Sequence, residues 1–233
     1  MNITRIRNDG LTGDSCATKT LTKHPPKCRF KDENFMTVRE FHPPIVVLLG
    51  RPGSGKGTQC NLLADRFRAA GRTCVVVQTG TILRDLASAS LAISPFVTNV
   101  IASGTLMPPS IIASLWVASI LRAAASTEPV ILDGSPRTIA EVPLLEEVAL
   151  VIDRVTDVRI IHLAISESAA LERMMQRGRK DDASEAIRNR LALFNLHLPP
   201  ILIRLQQGGR TPIVIDGERA PELVAADIWS SLS

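Results

Sequence analysis

The segment Gly50-Arg51-Pro52-Gly53-Ser54-Gly55-Lys56-Gly57-Thr58 combines glycines, a lysine and a hydroxyl at a spacing that suits one kind of ligand. Glycines let backbone N–H groups converge on an anion, and a helix starting inside the segment adds partial positive charge at its N-terminus. Gly53, Ser54, Gly55 and Gly57 would then cradle a polyphosphate, with Lys56 reaching its outer phosphates and Thr58 offering a hydroxyl to magnesium. The usual pattern has Ser or Thr directly after the lysine, whereas Gly57 intervenes here. A second hard-oxygen donor is expected at Asp133, which follows the apolar run Val130-Ile131-Leu132 and can hold magnesium through water. The competing reading of Asp133-Gly134 is an ordinary turn pair. Arginines form the third group: Arg84, Arg137, Arg173, Arg177, Arg179 and Arg190. Singly, each reads as a solvated surface charge. Together they supply the fixed cations that a charge-dispersed phosphoryl-transfer transition state requires.

Such side chains need a scaffold. Ile45-Val46-Val47-Leu48-Leu49 leads straight into the glycine segment and reads as a buried strand. A helix follows, with Leu62, Leu63 and Phe67 on one face, Asp65, Arg66 and Arg68 on the other, and Gly71 closing it. Further strands are expected at 74–77, 130–132, 158–163 and 213–215, with helical segments between them. Short, wholly apolar strands alternating with helices imply a five-stranded parallel sheet covered on both faces, an α/β fold whose ligands gather at the carboxyl ends of the strands. Pro199-Pro200 is expected to break or kink the helical stretch that begins near Ser184. No internal repeat and no second core are evident.

At 233 residues, 45% hydrophobic and 21% charged, the chain fits one globular domain preceded by a polar stretch over 1–44. A net charge of +4 favours anionic ligands without demanding nucleic acid, and with 3% aromatics no base-stacking platform is expected. Cys16, Cys28, Cys60 and Cys74 lack metal-ligand spacing, so no zinc is expected, and a reducing, cytoplasmic setting is. The apolar stretch Ile111 to Leu121 is too short to cross a bilayer, so no membrane association is expected. The first ten residues carry Arg5, Arg7 and Asp9 without an apolar core, which argues against a secretory signal. Residues 1–44 read as a disordered extension; organelle targeting is the alternative, against which Asp9 and Asp14 count. Phe30, Phe35 and Phe41 suggest that its second half docks, through a short helix capped by Asp32 and carrying Phe35 and Val38.

Several motifs in a fixed order resemble the adenylate kinases, among the nucleoside monophosphate kinases. They are Gly50 to Gln59, Thr79-Gly80 with Arg84, Gly104-Thr105-Leu106-Met107, Asp133-Gly134-Ser135-Pro136-Arg137-Thr138, Gly178-Arg179-Lys180-Asp181-Asp182 with Arg190, and Ile215-Asp216-Gly217. The resemblance spans roughly residues 45 to 230 and implies a three-layer P-loop NTPase fold over 45–233. It also implies a helical monophosphate-binding segment at 79–108 and a minimal lid at 173–182. The implied reaction is reversible transfer of the γ-phosphoryl group of MgATP to a nucleoside monophosphate, AMP first, by a monomer.

By that resemblance Lys56 and Thr58 handle the ATP phosphates and magnesium, Arg173 flanks the ATP base, and Thr79, Gly80, Arg84, Gly134 and Arg137 hold the acceptor phosphate. Met107 packs along the acceptor base, while Arg177, Arg179 and Arg190 clamp the transferring group. Three departures stand out. Thr81 occupies the place of a usual Asp, Glu141 that of the Gln that reads adenine, and only Gly178 separates Arg177 from Arg179. Glu141 has a second reading, because Thr138-x-x-Glu141 spells a capping box and Pro143 suits a first helical turn. A kinase acting on UMP/CMP or GMP, and a catalytically silent nucleotide-binding regulator, are the alternatives in function.

Overall fold

The computed structural model describes residues 43–123, 128–179 and 183–232. The expectations placed on 1–42, and on Lys180, Asp181 and Asp182, lie outside the described residues. Five strands form one parallel sheet: β1 (Ile45–Gly50), β2 (Val75–Gln78), β3 (Val130–Asp133), β4 (Val158–Ala164) and β5 (Ile213–Asp216), in spatial order β2-β3-β1-β4-β5. Eight α-helices accompany them among the described residues: α1 (Lys56–Ala69), α2 (Thr79–Ser88), α3 (Ser94–Ser103), α4 (Pro109–Ala123), α5 (Val142–Val151), α6 (Glu167–Arg177), α7 (Ser184–Gln207) and α8 (Pro221–Ser230). The expected strands are all present, each displaced by no more than a residue at an end.

β1 runs down the middle, buried along its whole length, and its alternate side chains feed two cores. Ile45, Val47 and Leu49 enter the larger core with Met107, Trp116 and Leu145, on the face that α2–α5 and α7 cover. Val46 and Leu48 enter the other, with Cys60, Leu63 and Phe67 of α1 and Val224 and Ile228 of α8. A period of two on a two-sided sheet explains why the strand reads as unbroken apolar sequence. Each buried aliphatic side chain contributes about 1.5–3 kcal/mol. A third cluster of Ile165, Ala170, Met174, Ile187 and Leu191 pins α6 to α7.

One local expectation changes. The helix from Ser184 does not break: α7 runs for 24 residues through Pro199 and Pro200. The prolines remove two N–H donors, but Leu191, Ile201 and Leu205 on either side of them are buried, and that packing carries the helix across the gap. His162 of β4 is half-buried, because its side of the strand lies next to the exposed Val214 of the edge strand β5. Gly71 does close α1, one position beyond the cap, at φ 74°.

Candidate active site

The carboxyl ends of β1, β2 and β3 open on a cavity of about 1040 Å3. β1 delivers the glycine loop to it and α1 starts inside that loop, at Lys56. Gly53 makes the geometry possible. It sits at φ 86°, and a Cβ there would come within 2.6 Å of the Ala170 carbonyl oxygen of α6. The Lys56 ammonium turns back on its own loop. It donates to the carbonyls of Gly50 at 2.7 Å and Arg51 at 2.8 Å, and to Ser54 Oγ at 3.3 Å. Burial pulls its pKa down to about 8, with the Asp133 carboxylate opposing the shift. The Asp133 side chain faces the loop across the space that Gly57 leaves, since a Cβ on Gly57 would lie 3.9 Å from Asp133 Oδ2.

Charge in the wall is one-sided. Eight cationic side chains line it: Lys56, Arg84, Arg137, Arg173, Arg177, Arg179, Arg190 and Arg219; Asp133 is the one carboxylate among the described lining residues. Several are fixed by backbone carbonyls. Arg137 Nε donates to Gly134 O at 2.6 Å, and Arg173 reaches Gly217 O at 2.8 Å and Glu218 O at 3.2 Å. Arg190 Nη2 donates to Ile101 O at 2.9 Å, tying α7 to α3. Burial also lowers the pKa of Arg137. Gly104 permits the approach of α3 and α7: at φ 70°, a Cβ on it would overlap the Ala186 carbonyl. The cavity wall thus includes Gly53, Ser54, Gly55, Lys56, Gly57, Thr58, Gly80, Arg84, Asp133, Gly134, Arg137, Arg173, Arg177, Arg179 and Arg190.

Three expected site residues stand behind the wall instead. Thr79 is fully buried and its hydroxyl donates to the carbonyls of Asp133 and Gly134, each at 3.1 Å. Met107 packs into the larger core, while Leu106 and Thr105 take the cavity face. Glu141 is 1% exposed and its carboxylate is fully engaged. Oε1 accepts from the N–H groups of Arg137 and Thr138 at 3.0 and 3.1 Å and from the Thr138 hydroxyl at 3.2 Å, and Oε2 accepts from Trp116 Nε1 at 3.3 Å. This is the capping box, sitting on a 3-10 turn over Ile139–Glu141 that leads into α5. The geometry at Glu141 is that of the cap, and its carboxylate accepts directly from the Arg137 N–H.

Other contributors escaped the sequence reading. A stripe of α7 at helical spacing, Leu193, Phe194, His197, Leu198 and Ile201, forms an apolar wall beyond Arg190. Gln59 holds the turn before α8 by donating to Pro221 O at 3.0 Å. Arg219 lines the cavity while paired with Asp216 and Asp227. No cluster of three His, Cys, Asp or Glu side chains able to hold a metal occurs among the described residues.

A family model described as adenylate kinase matches residues 48–209. The chain is 34% identical over 157 residues to an adenylate kinase of Corynebacterium urealyticum, covering 67% of this chain and 83% of that one. It is 29% identical over 187 residues to adenylate kinase 1 of a Nostoc species, and 32% identical over 192 residues to an adenylate kinase of Maricaulis maris. Each of these two alignments covers 80% of this chain and 97% of the relative.

Proposed function

The chain belongs to the adenylate kinase family, and on that premise we propose how its cavity carries out the reversible transfer of the γ-phosphoryl group of ATP to AMP. The observation that carries the reading is one cavity holding both a lysine-bearing phosphate loop and arginines from six other segments. An oxygen of the acceptor phosphate attacks the γ-phosphorus while the bond to the β,γ-bridging oxygen breaks, leaving two diphosphates. The attacking oxygen is already anionic, so no general base is needed and positioning with charge neutralisation does the work.

Lys56 leaves its loop carbonyls for the β- and γ-phosphates, and the backbone of Gly53 to Thr58 cradles them. Arg84 and Arg137 grip the acceptor phosphate, and Arg177, Arg179 and Arg190 converge on the group in transit. Arg173 frames the donor base together with the turn of Gly217 that holds it. Glu141 acts through Arg137: its cap fixes the peptide N–H on which that arginine is hung. Thr79 does the same from beneath, holding the carbonyls of Asp133 and Gly134.

Magnesium fits this site as part of the substrate MgATP. Thr58 and Asp133 are hard-oxygen donors on the cavity wall, and with one carboxylate the metal is held mainly by ATP itself. When bound, the ion shields the phosphate charges and orients the γ-phosphoryl group. A coupled phosphotransfer assay with MgATP against AMP, CMP, UMP, GMP and dTMP tests the whole reading. AMP is expected to be the best acceptor. Equal or better turnover on another monophosphate would move the assignment within the family, and no turnover on any would end it.

A further inference from the structure

Arg51 stands inside the phosphate loop yet does not line the cavity. Its guanidinium bridges the loop to the segment before α6 and to α7. Nη1 donates to the Ile165 carbonyl at 2.6 Å, just before α6, and Nη2 donates to Asn195 Oδ1 of α7 at 3.2 Å. The guanidinium carbon lies 5.7 Å from the centre of the Phe194 ring, itself part of the cavity wall. Asn195 Nδ2 donates in turn to Glu167 Oε2 at 3.1 Å, at the first residue of α6, which closes the circuit. Arg51 Nε is buried with no hydrogen-bond partner, so the side chain is held by its forked end.

The location of this node gives it its meaning. α6 leaves it and reaches Arg177 about 15 Å away, and α7 arrives at it having passed Arg190 about 8 Å earlier. Both helices are joined at their far ends by the short connection 178–183 that includes Arg179. A pair of helices tied to the phosphate loop at the start of α6 and the middle of α7 keeps its distal arginines in register with Lys56; without that tie, the hold of Arg173 on Gly217, that of Arg190 on Ile101 and the packing of α7 are left to set their position. We propose that Arg51 is a positioning residue for phosphoryl transfer, fastening the α6–α7 pair to the phosphate loop so that the arginines at its far end meet the phosphates that Lys56 holds. The proposal rests on the phosphotransferase reading above and adds to it a residue that never touches substrate.

The test is a kinetic cycle. Arg51→Met keeps the length and apolar stem but loses the fork, and is expected to lower kcat by about tenfold or more with KM for MgATP changed by less than about threefold. Arg177→Ala should then cost clearly less in the Arg51→Met background than in the wild type, because a displaced arginine has less to lose. Arg51→Lys, which keeps the charge and cannot bridge both partners, should behave like Arg51→Met. Asn195→Ala removes the α7 end of the same circuit and provides the cycle again should Arg51→Met fail to fold. A merely structural arginine would lower the thermal midpoint and leave the cost of Arg177→Ala unchanged. Independent, multiplying effects in the Arg51 or Asn195 cycle would overturn the proposal. Should the wild type fail to phosphorylate any monophosphate, the reading of function falls and takes this proposal with it, whereas a wild type that turns over and shows independent effects overturns the role of Arg51 alone.

Discussion

At the scale of single residues, two carboxylate-or-ammonium decisions govern the site. Lys56 is one. Its three hydrogen bonds to the loop hold it where the phosphates arrive, so Lys56→Ala should lower turnover by about 100-fold or more while leaving the fold intact. Near-normal turnover by folded Lys56→Ala protein would refute that role. Its lowered pKa also makes stability depend on pH in a defined direction. Below about 8 the folded state bears the cost of a buried ammonium; between about 8 and 10.5 it has released the proton while the unfolded chain still binds it. Stability therefore rises with pH across that window, by up to roughly 3 kcal/mol for the full shift. Burial raises the thiols of Cys60 and Cys74, which act in the opposite sense once the unfolded thiols ionise. The comparison that isolates Lys56 is urea unfolding of wild type and Lys56→Met at pH 7.5 and 9: only the wild type should gain. Glu141 is the other. Glu141→Gln would turn an amide donor toward either the Trp116 N–H or the two backbone N–H groups, all of them donors. We expect a loss of about 1–3 kcal/mol in stability with unchanged ratios among acceptors. A shifted AMP-to-GMP ratio in that variant would instead put the side chain on the base.

Elements were more legible than side-chain directions. The strands could be read because a parallel strand covered on both faces admits only apolar residues, and Ile45 to Leu49 or Val130 to Leu132 fit nothing else of that length. The phosphate loop was legible for a similar reason, since its glycines are fixed by close approach. α7 was not. Two prolines signal a break by a local rule, and the packing that overrides them comes from residues far away in sequence. The same helix hid an apolar part of the cavity wall, because Leu193, Phe194, Leu198 and Ile201 have the spacing of a core stripe, which an apolar ligand wall imitates. Spacing placed Thr79, Met107 and Glu141 in the right turns without saying which way each side chain points. Where elements meet, one atom decides. At Gly104 the backbone of α3 lies against that of α7, and Ala there must both strain a positive φ and push Ala186 away. Gly104→Ala should raise KM for the monophosphate more than KM for MgATP, as steady-state titration of each substrate would reveal. Equal effects on both would mean that α3 serves the acceptor no more than the donor.

For the molecule as a whole, α6 and α7 are separated in sequence by only six residues, 178–183, of which Arg179 lines the cavity. Closure over phosphates normally excludes water while chemistry proceeds. With so short a cover, measurable hydrolysis of ATP without acceptor is expected, above that of an adenylate kinase carrying a longer connection. Matching low backgrounds in the two enzymes would dismiss the idea. The imbalance of charge around the cavity reaches further than any of these contacts. Among the described residues the wall holds eight cations and one carboxylate, and such a wall attracts multivalent anions before they touch it. That attraction is carried through solvent and fades over about 8 Å at physiological ionic strength. Capture of both nucleotides should thus slow steeply as salt is added, and the bond-making step, shielded inside the wall, should not. Simple polyanions such as pyrophosphate should crowd the same entrance and compete with either substrate. For this enzyme the salinity of its surroundings becomes a control on how often the site is filled.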